Sequence, residues 1–334
     1  MQKRTTILFV LLALLTLVLF AVDMMVGSVD ITAREVWAAI SGGACDPIKS
    51  KIILDVRLTK AIVAILAGSA LAVSGLQMQT LFRNPLAGPY VLGVSSGASL
   101  GVALFILGAP LMGWASSSTL SSLGVAGAAW IGSAAVLALV AAVSRRIKDI
   151  MVILILGMMI GSAVSAVVQI LQYLSHEEAL KSFVVWTMGS LGDVTSSQLW
   201  LVGSAIIAGL IIAVAAIKPM NLLLLGEAYA RTMGLNIRRT RSLILLSTTL
   251  LAGTVTAFCG PVGFIGLAIP HLARIIFRNV DHRTLLPAAA LTGAISLLLC
   301  DIISKLLTLP VNTITALLGI PIVVWVVIRN KNIV

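Results

Sequence analysis

Apolar residues gather into long unbroken runs, not into the alternation of a strand or the narrow stripe of a soluble helix. Ten such runs, at 7–26, 58–81, 91–107, 123–143, 151–174, 198–217, 242–259, 264–277, 285–308 and 313–328, end at charges, prolines or polar clusters. A helix needs about 20 apolar residues to cross a bilayer's hydrocarbon core. The pattern therefore predicts an all-α polytopic membrane protein of ten transmembrane helices. The longest connecting segments, 27–57, 175–197 and 218–241, are too short for a soluble domain, so 1–334 reads as a single transmembrane domain.

The eighth run is short, about 21 Å at 1.5 Å per residue. Charge decides its reading. If it crosses, the N-terminus, Arg83, 144–149, 218–241, 274–283 and the C-terminus share one side, with 16 of the 23 Lys and Arg residues. If it does not, Arg274, Arg278, Arg283, Arg329 and Lys331 move to the other side. Basic residues accumulate in cytoplasmic loops, so ten spans with both termini cytoplasmic are expected. Nine of the twelve acids then lie outside, Asp301 within i+4 reach of Lys305. Gly88-Pro89 and Gly260-Pro261 each precede a short Gly-containing span, which suggests an inverted repeat of about four spans per half.

Composition narrows the class further. Of 334 residues, 59% are hydrophobic and 10% charged, with a mean hydropathy of +1.11. Soluble domains carry about 25% charged residues, which excludes a soluble enzyme, a disordered chain and, despite a net charge of +11, a nucleic-acid binder. Cys45, Cys259 and Cys300 are far apart and form no metal or redox motif. Residues 7–22 exceed a signal-peptide core and no A-x-A site follows, so an uncleaved first span is expected.

Few residues could carry chemistry. Gly93, Gly97 and Gly101, then Gly157 and Gly161 with Ser162 and Ser165, form small faces that suit close helix packing or a smooth translocation wall. Gln169 and Gln172 face either a path or a neighbouring helix. Met158 and Met159 read as core filler. His176-Glu177-Glu178 is the one metal-like composition, and a solvated loop explains it; His271 and His282 read as helix-end packing. The 218–241 segment holds a short amphipathic stretch, Leu222 to Leu235, that fits a partner's groove or an interfacial helix on lipid. No Gly-x4-Gly-Lys-Ser/Thr is present, so nucleotide cannot be cradled by that route. No midplane ionisable residue suits an ion-coupled secondary transporter, the alternative reading, and no catalytic constellation suits an intramembrane enzyme.

Four segments in order carry a resemblance: Arg57–Gly75; Asn84-Pro85-Leu86-Ala87 through Leu92-Gly93-Val94-Ser95-Ser96-Gly97-Ala98; Trp186-x2-Gly189-Ser190-Leu191; and Gly266-Leu267-x2-Pro270-His271-x-Ala273-Arg274 with Asp281-His282-Arg283. The chain resembles the permease subunits of ABC importers for ferric siderophores, haem and cobalamin, the iron-chelate permease family, over nearly its whole length.

That resemblance implies a ten-helix permease of a bacterial plasma membrane (the inner membrane of a Gram-negative cell). It would work as a homodimer or beside a close paralogue, with two ABC ATPase subunits and a periplasmic or lipoprotein binding protein. ATP and Mg belong to the ATPase, and no metal or cofactor to this chain. Transport would be by alternating access along the dimer interface. ATPase coupling falls on Leu225, Gly226, Glu227, Ala230, Arg231 and Gly234 within about 221–236. Docking of the binding protein falls on Arg57, Lys60 and Lys305, and the cytoplasmic gate on Asn84 and Leu86, opposite 144–149. Gly161, Ser165, Gln169 and Gln172 are the path-lining candidates. The chain departs from the family pattern at Thr59 (usually Pro), at Lys60 and Lys305 (Arg), at Asn312 (Gly), and in a shortened 305–312 segment without the customary Glu. Which chelate is carried stays open.

Overall fold

A computed structural model describes residues 2–108, 122–144, 147 and 150–329, and everything below concerns those residues. They are helical throughout, with turns and loops between, and contain no strand. The elements are α1 Gln2–Met25, α2 Ala33–Ser41, α3 Pro47–Lys51, α4 Leu58–Phe82, α5 Val94–Ala103, α6 Ser122–Ser144, α7 Ile150–Leu174, α8 Glu177–Thr187, α9 Ser196–Ala215, α10 Ile217–Leu224, α11 Glu227–Thr232, α12 Ile237–Thr248, α13 Thr254–Cys259, α14 Ile265–Phe277, α15 His282–Leu307 and α16 Val311–Arg329. Wider π-helical turns join α3 to α4, follow α5, and join α12 to α13.

Apolar helices stand at all ten predicted positions. Seven are long and apolar enough to cross a membrane, and three, Val94–Gly108, Ile265–Phe277 and Val311–Val326, are shorter. The polar connectors, in contrast, are more helical than periodicity suggests. Thr32 and Glu35 form a capping box at the start of α2, and Asp46 caps α3 with Pro47 in its first turn. Residues 47–57, read from sequence as loop, instead continue into α4 as one helical rod, Pro47–Phe82. His176 stands at the N-cap of α8, with Glu177 and Glu178 in its first turn. Carboxylates there meet the positive end of the helix dipole, so the first half of the 175–197 connector, Glu177–Thr187, is a helix as well.

The rod containing α4 is the axis of the bundle. Its residues are small and apolar, and nearly all of those after Ile65 are buried. A methyl group on Gly68 would lie 2.2 Å from the Gly293 carbonyl oxygen of α15, and one on Gly75 would lie 1.6 Å from the Gly266 oxygen of α14. Backbones meet there with no side chain between them, the packing that small residues permit. Gly97 and Gly101 of α5 meet Gly132 and Ala128 of α6 in the same way, at 2.5 and 2.0 Å. Helix contact thus claims those glycines, while Gly157 and Gly161 pack beside Leu92 and Ser96. Around this axis α1 packs one face, with Leu8, Phe9, Leu12, Leu19 and Phe20, against the core, while its outward face carries Ile7, Leu11, Leu14 and Val18.

Candidate functional site

The predicted residues fall into four places. The first is the 218–241 segment, which folds as α10 and α11 with a kink at Leu225-Gly226. Gly226 takes φ +100°, a conformation that only glycine adopts without strain, and it starts α11. Gly234 closes the segment at φ +83°. Ala230 is fully buried, so it anchors α11 and cannot itself touch a partner. Arg231 is exposed. Glu227 accepts from Arg241 of α12 at 2.6 Å and lies 4.0 Å from Arg231, which ties α11 to α12. What is exposed is an apolar stripe of three residues, Leu225 before the kink, Tyr229 within α11 and Met233 just after it, at 59%, 56% and 56%. Tyr229 and Met233 were not among the sequence candidates, although their four-residue spacing from Leu225 was visible.

The second place is the end of α4, beside this segment. Arg83 ends the helix in the left-handed region, at φ +48°. Its guanidinium lies against Gly226, where an added methyl would be 3.5 Å from Nη1. Asn84 Oδ1 accepts from the Leu86 backbone N–H at 2.9 Å, holding a tight turn with Leu86 exposed. Of the 144–149 segment expected opposite, 145–146 and 148–149 lie outside the described residues. Behind the turn is a buried polar cluster. His271 Nε2–H donates to the Pro85 carbonyl at 2.7 Å. Arg274 donates to Gln79 Oε1 at 2.6 Å, and Gln79 donates to the Leu267 carbonyl at 3.0 Å. Thr80 meets His282 Nε2 at 2.8 Å. His282 donates from both its backbone N–H and Nδ1 to Asn221 Oδ1 of α10, at 2.9 and 2.7 Å, and Asn221 donates to Asp281 at 2.7 Å. The Arg283 backbone N–H, then Asn221, hold the Asp281 carboxyl below its usual range. His282 starts α15, as read from sequence, whereas His271 lies in the middle of α14 and not at a helix end; His271 holds the turn that follows α4, and His282 the last turn of α4. Their partners lie 186 and 202 residues away.

At the other end of the rod lie Arg57, Lys60 and Lys305. Arg57 is 5% exposed, its guanidinium donating to the carbonyls of Met24, Met25 and Val29. Lys60 pairs with Asp301 at 3.0 Å, and Lys305 with Asp301 at 3.0 Å and Asp23 at 2.7 Å. Two ammonium groups and two fully buried carboxylates thus neutralise one another where α1, α4 and α15 meet. The 301–305 pair follows from sequence spacing; Asp23 joins from 282 residues away. Two departures from the family pattern find uses here. Thr59 and Ser196 share a hydrogen bond at 3.1 Å between α4 and α9, and Asn312 accepts from the Gly263 N–H at 2.9 Å.

Between α5 and α7 runs an open groove of about 500 Å³, lined by Tyr90, Ser96, Gly161, Ser162, Ser165 and Gln169 among others. Three path candidates meet in it; Gln172 is not among its lining residues. Met158 also lines it and Met159 is exposed, so neither is core filler. The exposed apolar face of α7 does not need them inside. Tyr90 donates to the Val262 carbonyl at 3.0 Å and so fastens one Gly-Pro segment to the other.

A rod buried among membrane-length apolar helices defines an all-helical, polytopic membrane protein. A model of the FecCD transport family matches residues 14–329, and the chain belongs to that family. It is 36% identical, over 336 aligned residues, to the hemin transport system permease protein HmuU of Yersinia pestis, covering 99% of this chain and 97% of that one. It is 38% identical over 284 residues to the vitamin B12 import system permease protein BtuC of Salmonella arizonae, with 83% of each covered. Among solved structures, a metal-chelate type ABC transporter in an inward-facing conformation superposes with a TM-score of 0.83 at 30% identity, over 96% of this chain and 99% of that one.

Proposed function

We propose that this chain is the permease subunit of an ATP-driven importer that takes a metal chelate, haem or cobalamin from a binding protein into the cytoplasm. In this reading all ten apolar helices cross a bacterial plasma membrane, both termini are cytoplasmic, and two copies (or one and a paralogue) enclose the path. The observation that carries the proposal is the Leu225–Tyr229–Met233 stripe. Exposed apolar side chains before, within and just after a short helix suit a groove in another protein. The Glu227–Arg241 pair and buried Ala230 make that helix rigid enough to transmit a push. ATP hydrolysis belongs to the two subunits that seat there, and this chain is not itself an enzyme.

Transport is by alternating access, with Asn84 and Leu86 at the cytoplasmic gate. Gly161, Ser165 and Gln169 line the path, with Gln172 beyond the groove. Hydroxyl and amide groups with no strong ligand among them favour holding a bulky chelate by shape. Arg57, Lys60 and Lys305 lie nearest the binding protein, whose acids would compete with Asp23 and Asp301 for the lysines.

The test is co-purification in nanodiscs with the candidate ATPase, scoring its stimulation by binding proteins loaded with a ferric siderophore, haem or cobalamin. A stable complex stimulated by one of these establishes the class and its substrate. Failure to retain any ATPase, with Glu227→Arg leaving uptake unchanged, refutes it.

A further inference from the structure

Resting on the importer reading, we infer that Asn221 and His271 are positioning residues which join the ATPase-facing helices to the cytoplasmic gate through one buried hydrogen-bonded chain. Asn221 belongs to α10, immediately before the outward stripe. Its amide grips the start of α15 twice, through Asp281 and through His282. His282 passes the contact to Thr80 in the last turn of α4. One residue earlier, Gln79 is held by Arg274 of α14, and from that helix His271 holds the Pro85 carbonyl inside the gate turn.

The chemistry of each link supports a mechanical role. Pro85 offers a carbonyl and no N–H, so His271 is its hydrogen-bond donor in that turn. Asn221 uses both ends of its amide, and that fixes its orientation: Nδ2 must face the Asp281 carboxylate, leaving Oδ1 for the two His282 donors. Both histidines are buried, at 6% and 1% exposure. A hydrogen bond broken there leaves a polar group without water to replace its partner. The chain therefore resists stretching, so α10, α15 and the end of α4 shift together. On the other side, the exposed Arg83 side chain lies beside Gly226 without locking it. A push on the stripe then reaches Asn84 and Leu86 through the buried polar contacts.

Spatial sequence alone does not establish coupling; a non-additive response does. The experiment needs no substrate. Leu86→Cys is labelled with a membrane-impermeant maleimide in nanodiscs holding the ATPase, with and without ATP and vanadate, in chains whose three native cysteines are replaced. The expected result is a nucleotide-dependent labelling rate in the parent chain. Its nucleotide ratio should fall about fivefold in Asn221→Ala and in His271→Leu, the equilibrium shift that one net hydrogen bond supports. The double variant should be no worse than either single one, because both break the same chain. His271→Gln, which can still donate to the Pro85 carbonyl, should restore the ratio. ATPase retention in His271→Leu, whose residue lies outside the ATPase-facing helices, should match the parent, and Asn221→Ala should melt within a few degrees of it in detergent, which separates a lost link from a misfolded chain. An unchanged ratio in either single variant, or multiplicative losses in the double, overturns the inference. Absence of any nucleotide response in the parent, with the ATPase bound, defeats the importer reading beneath it.

Discussion

Pro270 sits inside α14, where it cannot donate to the carbonyl four residues back. That carbonyl belongs to Gly266, and it points at Gly75 of the central rod, where a methyl group would lie 1.6 Å from the oxygen and 2.4 Å from its carbon. A close Cα–H···O contact needs about 3.3–3.6 Å between carbon and oxygen. Gly75→Ala must therefore move α4 and α14 apart by about 1.7–2 Å, along a buried contact that also seats Gln79 and His271. Overpacking in a tight core costs about 1–3 kcal/mol, and with backbone on one side and a buried rod on the other the upper end is expected. At roughly 2 °C per kcal/mol for a chain this long, the melting midpoint in a fixed detergent should fall by about 5 °C. Pro270→Ala restores an N–H that draws the Gly266 carbonyl back into its helix, so the double variant should recover part of the loss. Gly127→Ala, where the added methyl meets nothing within 4 Å, serves as the control and should melt with the parent. Equal midpoints for Gly75→Ala and Gly127→Ala would refute the backbone contact and the account of Pro270 together.

Three further expectations follow from single features. Glu227→Gln takes the carboxylate from Arg241 and should weaken binding of the partner ATPase by about fivefold, near 1 kcal/mol; exchanging the pair as Glu227→Arg with Arg241→Glu should restore part of it in a pull-down titration. Hydrogen bonds from Lys49, then Thr32, hold the Glu35 carboxyl down at about 2; a depressed acid supports the fold above its unfolded value and loses that support as pH falls. Emission from Trp37, in a chain lacking the other tryptophans, should accordingly report loosening of α2 between about pH 4.5 and 2, and Glu35→Gln should remove that transition. Thr308 ends α15 at φ +53°; Thr308→Gly should gain roughly 1 kcal/mol by releasing a left-handed β-branched residue, whereas Arg83→Gly, at φ +48°, should gain less because the Arg83 guanidinium supports Gly226.

The spans were legible because crossing hydrocarbon demands a run of apolar residues, and a run needs no knowledge of its neighbours. The short helices were less so. α8 and α11 are too brief and too polar to show a stripe against their surroundings, although Thr32-x-x-Glu35 and Thr195-x-x-Gln198 both spell the capping boxes that form. The 222–235 stretch was legible as an amphipathic run ending at a glycine, while Tyr229 and Met233 were not, because the sequence does not say which side of so short a stretch is exposed. The gate cluster was illegible for another reason. Gln79, Asn221, His271 and His282 are ordinary polar residues of four separate helices, and they become a network only when α4, α10, α14 and α15 converge.

The meeting of α1, α4 and α15 likewise changes what a mutation at the other end of the rod can report. Lys305 is 10% exposed and holds two carboxylates that have no access to solvent. Removing one member of a buried pair typically costs 3–5 kcal/mol, about as much as many proteins can lose, because the stranded charge stays buried. Lys305→Met should therefore lower the melting midpoint sharply, and lost uptake in that variant says nothing about docking. Asp23→Leu with Lys305→Met leaves the balanced Lys60–Asp301 pair, which a hydrophobic replacement of the other two can tolerate. The double variant should melt within a few degrees of the parent, well above Lys305→Met alone. If the single variant proves as stable as the double, the cluster is solvated and the buried pairing described here is wrong. If the double is stable yet no longer stimulated by a loaded binding protein, Lys305 makes a contact outside this chain that outweighs Asp23. Retained stimulation assigns docking elsewhere, and leaves Lys305 the task of fastening α1 to the bundle.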